Sequence, residues 1–397
     1  MPAQRSRPKH ERPSDGIRVI DFTHVLAGPA CAYYLGLLGA DVVKVERPGR
    51  GDAMRHRGGT DKARAAKGMS TAYLTQGAGK RSVAIDLETP GGRADMDGLL
   101  RDADVLVENH RPATLARLGL EFGRLQALNP RLIHCALTGY GRGGPFENAP
   151  AYDVNIQAAS GLMSLTGTAE TGPLRAGAPV IDYSVALAAG FAIAAALFQR
   201  TQTGQGAFVD VSMLETAFTL MSSTVTDHLM TGNMPQPRGN EANSRSPSAG
   251  TFPCREGLLS LGVNEEAQFA ALAQVLRRTD WLTDERFATP TARDQHGAAL
   301  AQELVATLAL KSADEWERRL IAAGVPAARV RTLPEALAMS DVAARKFLLD
   351  PGTGRPAVPG LPFRMNATRA DTVQAVEKLG QSNRDVLGEH GLSLPSR

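Results

Sequence analysis

The segment IRVIDFTHVLAGPACAYYLGLLGADVVKVERPG, beginning at Ile17, constrains this chain most. A β-rich run, a Gly-Pro break, a helical apolar stretch and the strand-like DVVKVE succeed one another. That order is a βαβ unit, the building block of a parallel sheet with crossover helices. The pattern recurs: SVAIDL (82–87) precedes a helix ending near Leu100, and ADVLVEN (103–109) leads into RPATLARLG. RLIHCALTGYG (131–141) then enters a glycine-rich loop, and AFVDVSM follows the turn TQTGQG. The predicted fold class is therefore α/β, with a Rossmann-like, open, doubly wound parallel sheet.

At 397 residues the chain is long enough for two domains. Its character changes at MTGNMPQPRGNEANSRSPSAG (230–250), rich in Pro, Gly, Asn and Ser. We expect a mobile basic tail at 1–15, a large Rossmann-like domain at 16–224, a smaller α+β domain at 225–332, and a segment at 333–397 returning to the large domain. The tail lacks the apolar core of a signal peptide. The apolar run Val185 to Phe198 is expected to be too short to cross a bilayer.

A net charge of +3, from 44 basic and 41 acidic residues, gives no global field for nucleic acid or membrane, although the basic pI suits an anionic ligand. Cys31, Cys135 and Cys254 lie far apart and are odd in number, which argues against disulfides and zinc and for a reducing cytoplasm. No GxGxxG, Walker or G-x-S-x-G motif occurs, and the scattered histidines suggest no metal site. Arg47 follows a strand end, where open α/β sheets place their ligand crevice. ENHRP (108–112) offers Asn109 as a cap, with His110 and Arg111 facing that crevice; Arg117 is a second candidate for phosphate oxygens. Lys80 and Arg81 read as surface residues.

Two carboxylates in apolar company remain, Asp153 in AYDVNIQAASG and Asp182 in APVIDYSVALAAGFAIAAALFQR. For each, helix capping is one reading. For Asp182 the other is a nucleophile, kept ionised by the positive end of the helix that follows.

Together DFTHVLAGPACAYYLGLLGADVVKVERPGRGD, GKRSVAIDL, DVLVENHRP, NPRLIHCALTGYG, AYDVNIQAASG and TGQGAFVDVSMLETA resemble the class III coenzyme A transferases, the superfamily of formyl-CoA transferase, carnitine-CoA transferase and 2-methylacyl-CoA racemase. The resemblance covers about residues 16–220 closely and the rest loosely. It implies an interlocked homodimer and a cytoplasmic enzyme that uses coenzyme A as substrate, with no metal. The attacking aspartate of the family falls on Asp182; Tyr152 is expected either to orient the acyl group or donate a hydrogen bond to it, or to serve in packing. The CoA contacts fall on Val25, Leu26, Arg47, Ile85, Asn109, His110 and Arg117.

The chain departs from the family at three places. The racemases carry a histidine where Tyr152 stands, a CoA-binding lysine corresponds to Pro150, and PRGNEANSRSP (237–247) replaces a glycine-rich flap. The implied reaction moves CoA from a donor acyl-CoA, such as succinyl-CoA, to an acceptor carboxylic acid through an aspartyl-CoA thioester. Backbone N–H groups at the Asp182 helix start are expected to stabilise the oxyanion. A 2-methylacyl-CoA racemase and a non-catalytic CoA-binding protein are the alternatives.

Overall fold

The computed structural model describes residues 12–242, 244, 246–366 and 372–389. They form two compact units. The first takes the chain up to Met163, Arg175–Met234 and Asp341 onward; the second takes Ser164–Leu174 and Pro235–Ser340. Of the expected basic tail, residues 1–11 lie outside the described residues. Ser14, near its end, is buried and donates its N–H to Leu38 O at 2.9 Å. The expected junction at 224/225 falls inside a helix, Ser222–Thr231.

The first unit alternates strand and helix: β1 (Arg18–Phe22), α1 (Ala27–Leu37), β2 (Asp41–Glu46), α2 (Lys62–Ala66), α3 (Thr71–Gly77), β3 (Arg81–Ala84), α4 (Pro90–Arg101), β4 (Val105–Glu108), α5 (Pro112–Leu118), α6 (Phe122–Leu128) and β5 (Ile133–Thr138). It continues through α7 (Asp153–Ala159), α8 (Val180–Thr203), β6 (Ala207–Ser212), α9 (Met213–Leu220) and α10 (Ser222–Thr231). Strand order is β3-β2-β1-β4-β5-β6, parallel throughout. The chain runs outward from β1 in one direction and restarts at β4 in the other, so the sheet's switch point lies between β1 and β4. Strands covered on both faces need apolar residues at nearly every position, which accounts for the Val/Ile-rich runs. One face packs Val19, Val105, Cys135 and Leu137 under α1 and α8; the other packs Ile20, Leu106, Met96 and Leu125.

Close approach shapes the first crossover. A Cβ on Gly28 would sit 2.5 Å from the Thr23 side chain, so only glycine lets α1 start directly above the end of β1. Pro29 falls in the first turn of α1, where its missing N–H costs nothing.

The apolar run expected to be too short for a bilayer belongs to α8, whose 24 residues are long and apolar enough to cross one. Here Val185, Ala186, Ala189 and Ile193 are buried in the core that α1 shares, while Phe191 on the other side is 80% exposed. Edge strand β3 is closed by the C-terminal segment. Glu377 accepts the Ser82 N–H at 2.7 Å and Asn383 accepts the Ala84 N–H at 2.7 Å, satisfying groups that an open edge would leave for another chain.

In the second unit an antiparallel sheet, β7 (Ala249–Pro253), β8 (Leu258–Gly262) and β9 (Ala327–Arg329), accompanies α11 (Glu266–Leu276), α12 (Pro290–Gln295), α13 (Gly297–Leu308) and α14 (Ala313–Ala322). Trp281, Phe287 and Trp316 are buried within its core. Of the segment expected to replace the flap, Asn243 and Arg245 lie outside the described residues.

Candidate active site

A crevice of about 340 Å³ opens at the carboxyl ends of β1, β4 and β5, beside the switch point of the sheet. His24, Val25 and Leu26 follow β1; Asn109 and His110 follow β4; Thr138 and Gly139 end β5; Tyr152 and Asp182 sit at the starts of α7 and α8. Five widely separated segments thus meet where an open α/β sheet binds its ligand.

The loop after β1 is held at almost every residue. Asp21 Oδ1 accepts the Thr23 N–H at 3.1 Å, and Lys44 Nζ donates to Thr23 O at 3.0 Å. Asn109 spans the switch point, accepting the His24 N–H at 2.9 Å and donating to His24 O at 2.8 Å. Asn109 is therefore a bridge and not the expected helix cap; Arg111 occupies the position before α5. Asp52 Oδ1 accepts the Val25 N–H at 3.3 Å, and Lys80 Nζ donates to Pro29 O at 2.7 Å.

Val25 needs such anchoring. Its φ of 71° is the left-handed region, a strained conformation for a β-branched residue that persists only where surroundings impose it. The anchors form a balanced buried cluster: Asp21, Glu46 and Asp52 with Lys44, Lys80 and Arg55, all almost wholly buried. Lys80, expected at the surface, lies in this cluster, 2.6 Å from Asp21. A lysine could be removed from water there because a carboxylate meets it. Burial alone raises the Asp21 carboxyl, but Lys44 and Lys80 outweigh it and hold it below its ordinary value. Burial pushes the Lys80 ammonium down to about 8.

Asp182 is not a cap. Pro179 precedes the first turn of α8, Asp182 is the third residue within it, and the capping acceptor comes from elsewhere. Asp153 Oδ2 accepts the Ile181 N–H at 2.7 Å and the Asp182 N–H at 3.0 Å. Asp153 itself opens α7, and Gln157 Nε2 donates to its other oxygen. Both capping readings therefore resolve on Asp153, which caps a helix 28 residues further along. Those bonds consume the amides expected to serve an oxyanion. They also remove the helix end as a means of keeping Asp182 charged: burial first, and the Asp153 charge second, push its carboxyl up to about 7. Exchanging Asp153 for alanine should expose two helix N–H groups and destabilise the first unit by about 1–2 kcal/mol in chemical denaturation, the usual worth of a lost cap. A change below about 0.3 kcal/mol would show that water replaces Asp153 without cost.

Burial lowers both crevice histidines, His110 to about 3, with the His24 charge a further cause, so the walls carry neutral imidazoles at neutral pH. Tyr152 is 61% exposed, its N–H held by Asn155 Oδ1 at 3.1 Å. Three expected contacts stand apart. Ile85 is buried in the core, with only its backbone near the strand end. Arg47 is exposed outside the lining, and Arg117 is paired with Glu88, NH1 lying 2.7 Å from both carboxylate oxygens.

Residues 15–383 match the model of CoA-transferase family III. The succinyl-CoA–D-citramalate CoA-transferase of Chloroflexus aurantiacus is 34% identical over 385 residues, covering 96% of this chain and 94% of that protein. The succinate–glutarate CoA-transferase of Agrobacterium fabrum is 35% identical, with 96% of each chain covered. A crystal structure of a CaiB/BaiF family protein from Brucella suis superposes with a TM-score of 0.84 at 30% identity, covering 96% of this chain and 99% of that one.

Proposed function

We propose that this chain, which belongs to CoA-transferase family III and is an enzyme of that class, moves CoA through a thioester formed on Asp182. The observation that carries this is a half-buried carboxylate lining the crevice while another residue caps its helix. The Asp182 oxygen attacks the thioester carbonyl of a donor acyl-CoA. The C–S bond breaks, leaving an aspartyl–acyl mixed anhydride and CoA thiolate. The thiolate attacks the aspartyl carbonyl and the anhydride C–O bond breaks, giving aspartyl-CoA and the donor acid. An acceptor carboxylate then reverses both steps and leaves as the new acyl-CoA. Every bond broken is matched by one formed, so no external energy source enters.

The raised carboxyl suits this chemistry. A carboxylate of ordinary basicity is a poor match for a departing thiolate near 8.5; one at about 7 is closer to it, yet still half ionised at neutral pH. With the α8 amides occupied, the oxyanion is assigned to the start of α1. No side chain caps that helix, and Leu26 and Ala27 line the crevice. The pinned, strained Val25 sets the direction in which α1 begins. Tyr152 closes the acyl side.

The attacking form is the ionised one, so kcat/KM for the donor should rise with pH and level off above about 7. Asp153→Asn removes the neighbouring charge and should move that rise to lower pH. A flat profile from pH 5 to 9 would remove Asp182 from the rate equation. Substrates are small dicarboxylates, with succinyl-CoA as donor, as the names of the two relatives suggest. A panel of acyl-CoAs and free acids, read as product thioesters by chromatography, tests this; transfer confined to monocarboxylates would contradict it.

The face of α8 bearing Leu187, Phe191 and Phe198 is exposed, and we assign a second copy to it, as the interlocked dimer implied by the family resemblance would require. Light scattering should give twice the chain mass at micromolar protein. A monomer there would contradict the assignment.

A further inference from the structure

A second cavity, of about 350 Å³, lies on the other side of α5 from the crevice. Helix α5 is the partition: Pro112, Leu115 and Ala116, neighbours on one helix face, line the cavity, while Arg111 and Thr114 line the crevice. Phe122, at the start of α6, adds an aromatic ring to the apolar wall. Alternation along β5 packs Ile133, Cys135 and Leu137 under α1 and α8 and turns His134 to the opposite face, against the cavity. His134 is 1% exposed. Its Nε2 lies 3.3 Å from Oε1 of the wholly buried Glu108, an oxygen that also accepts Arg142 NH2 at 2.9 Å. That partner puts the imidazole proton on Nε2 and leaves Nδ1 as a lone pair. Neither His134 Nδ1 nor Arg142 Nε, both buried, has a hydrogen-bond partner. One cavity thus carries a bare acceptor and a bare donor, on two side chains gathered around the same carboxylate oxygen.

We propose that this cavity binds the primary carboxamide of a small, flat aromatic molecule. Buried polar atoms are nearly always paired, so an acceptor and a donor left bare together select a ligand that brings one of each. A carboxamide does so from one planar group: its N–H donates to His134 Nδ1 while its carbonyl oxygen accepts from Arg142 Nε. The ring then lies against Pro112, Leu115, Ala116 and Phe122. The volume agrees, being at the lower end of the roughly 300–1,000 Å³ of small-molecule sites. Charge disfavours the corresponding acid. The Arg142 charge is already met by Glu108, and Glu121 and Glu147 add two further carboxylates to the lining, where they repel an anion. The cavity and the crevice share only Glu147 among their lining residues, and the proposal does not depend on the reading of Asp182 as a nucleophile.

The test is ligand-observed NMR titration of the full-length protein with benzamide and with benzoate, the same ring bearing an acid in place of the amide. Benzamide should bind saturably, and benzoate at least about 10-fold more weakly, since it brings no donor and adds a charge. Saturating CoA should leave benzamide bound. His134→Leu should weaken benzamide about 10-fold or more by removing the acceptor. Ala116→Trp, at an exposed position on α5, should block the cavity and abolish binding while the melting curve shows the fold intact. That variant keeps the test decisive where His134→Leu fails to fold. Absence of saturable benzamide binding, equal binding of benzoate, displacement of benzamide by CoA, or full binding by Ala116→Trp overturns the proposal. Each of those results leaves CoA transfer through Asp182 standing.

Discussion

Asp182→Asn should lower CoA transfer by about 10³-fold or more while making the folded protein more stable above neutral pH. The kinetic loss follows because an amide cannot attack a thioester, and removal of a covalent nucleophile commonly costs several orders of magnitude. The stability gain follows from the raised carboxyl. Folded Asp182 titrates at about 7 against 3.8 for the free side chain, so between those values the folded state holds a proton that the unfolded state has released. Its contribution is complete below about pH 4 and is lost as pH rises through 7. Asparagine has no such dependence, and at pH 8 it also escapes the Asp153 charge. The variant should gain on the order of 2–4 kcal/mol over wild type between pH 4 and pH 8, at about 1.36 kcal/mol per pKa unit. Melting temperatures at the two pH values read this directly as a divergence of several degrees. Parallel melting curves would show that Asp182 carries no burial penalty, and undiminished transfer would show that it is no nucleophile.

Lys44→Met should be the most damaging single change outside the reacting groups. Lys44 is wholly buried in β2, 3.2 Å from Asp52 and 3.7 Å from Asp21, and donates to Thr23 O. Asp21 keeps Lys80, but Asp52 would keep only the amides of Val25 and Met54. A buried carboxylate stripped of its cation typically costs about 3–5 kcal/mol. The same loss frees the loop that holds Val25 in its left-handed conformation, so activity should fall further than stability alone explains. Adding Asp52→Asn removes the orphaned charge while keeping an acceptor for both amides, and should restore a large part of the lost stability. Chemical denaturation of the two single variants and the double variant closes the cycle. Additive effects would show that the two residues are not coupled.

These two sites differ in how far the sequence reveals them. The sheet was legible because parallel strands buried on both faces leave a continuous apolar run, and the six runs recognised in the sequence are the six strands of the parallel sheet. The crevice was legible by position, since the ends of β1 and β4 carry HVL and NH, and Tyr152 and Asp182 meet them there. The cap was not. A carboxylate at a helix start reads as serving its own helix, and nothing local distinguishes Asp153, which crosses to α8, from Asp182, which caps nothing. The buried cluster left one sign, a lysine inside the apolar run VVKVE, where only a paired charge is tolerated. Its partner Asp52 follows a glycine-rich turn that looks like surface. The strain at Val25 had no sign at all, because backbone conformation at a β-branched residue is imposed by distant partners, here Lys44, Asp52, Lys80 and Asn109 around the loop. Arg47 and Arg117 were found as cations, but the pairing of Arg117 with Glu88 depends on a turn whose geometry no pattern encodes.

The proposed reaction passes through a covalent bond between CoA and one carboxylate, Asp182. Wild-type protein mixed with succinyl-CoA without an acceptor acid, quenched in acid and digested, should yield the peptide containing Asp182 heavier by CoA less water. The addition should vanish when an acceptor acid is supplied and should never form on Asp182→Asn. Full transfer activity with that peptide unmodified, or with CoA attached to another residue, would contradict the account.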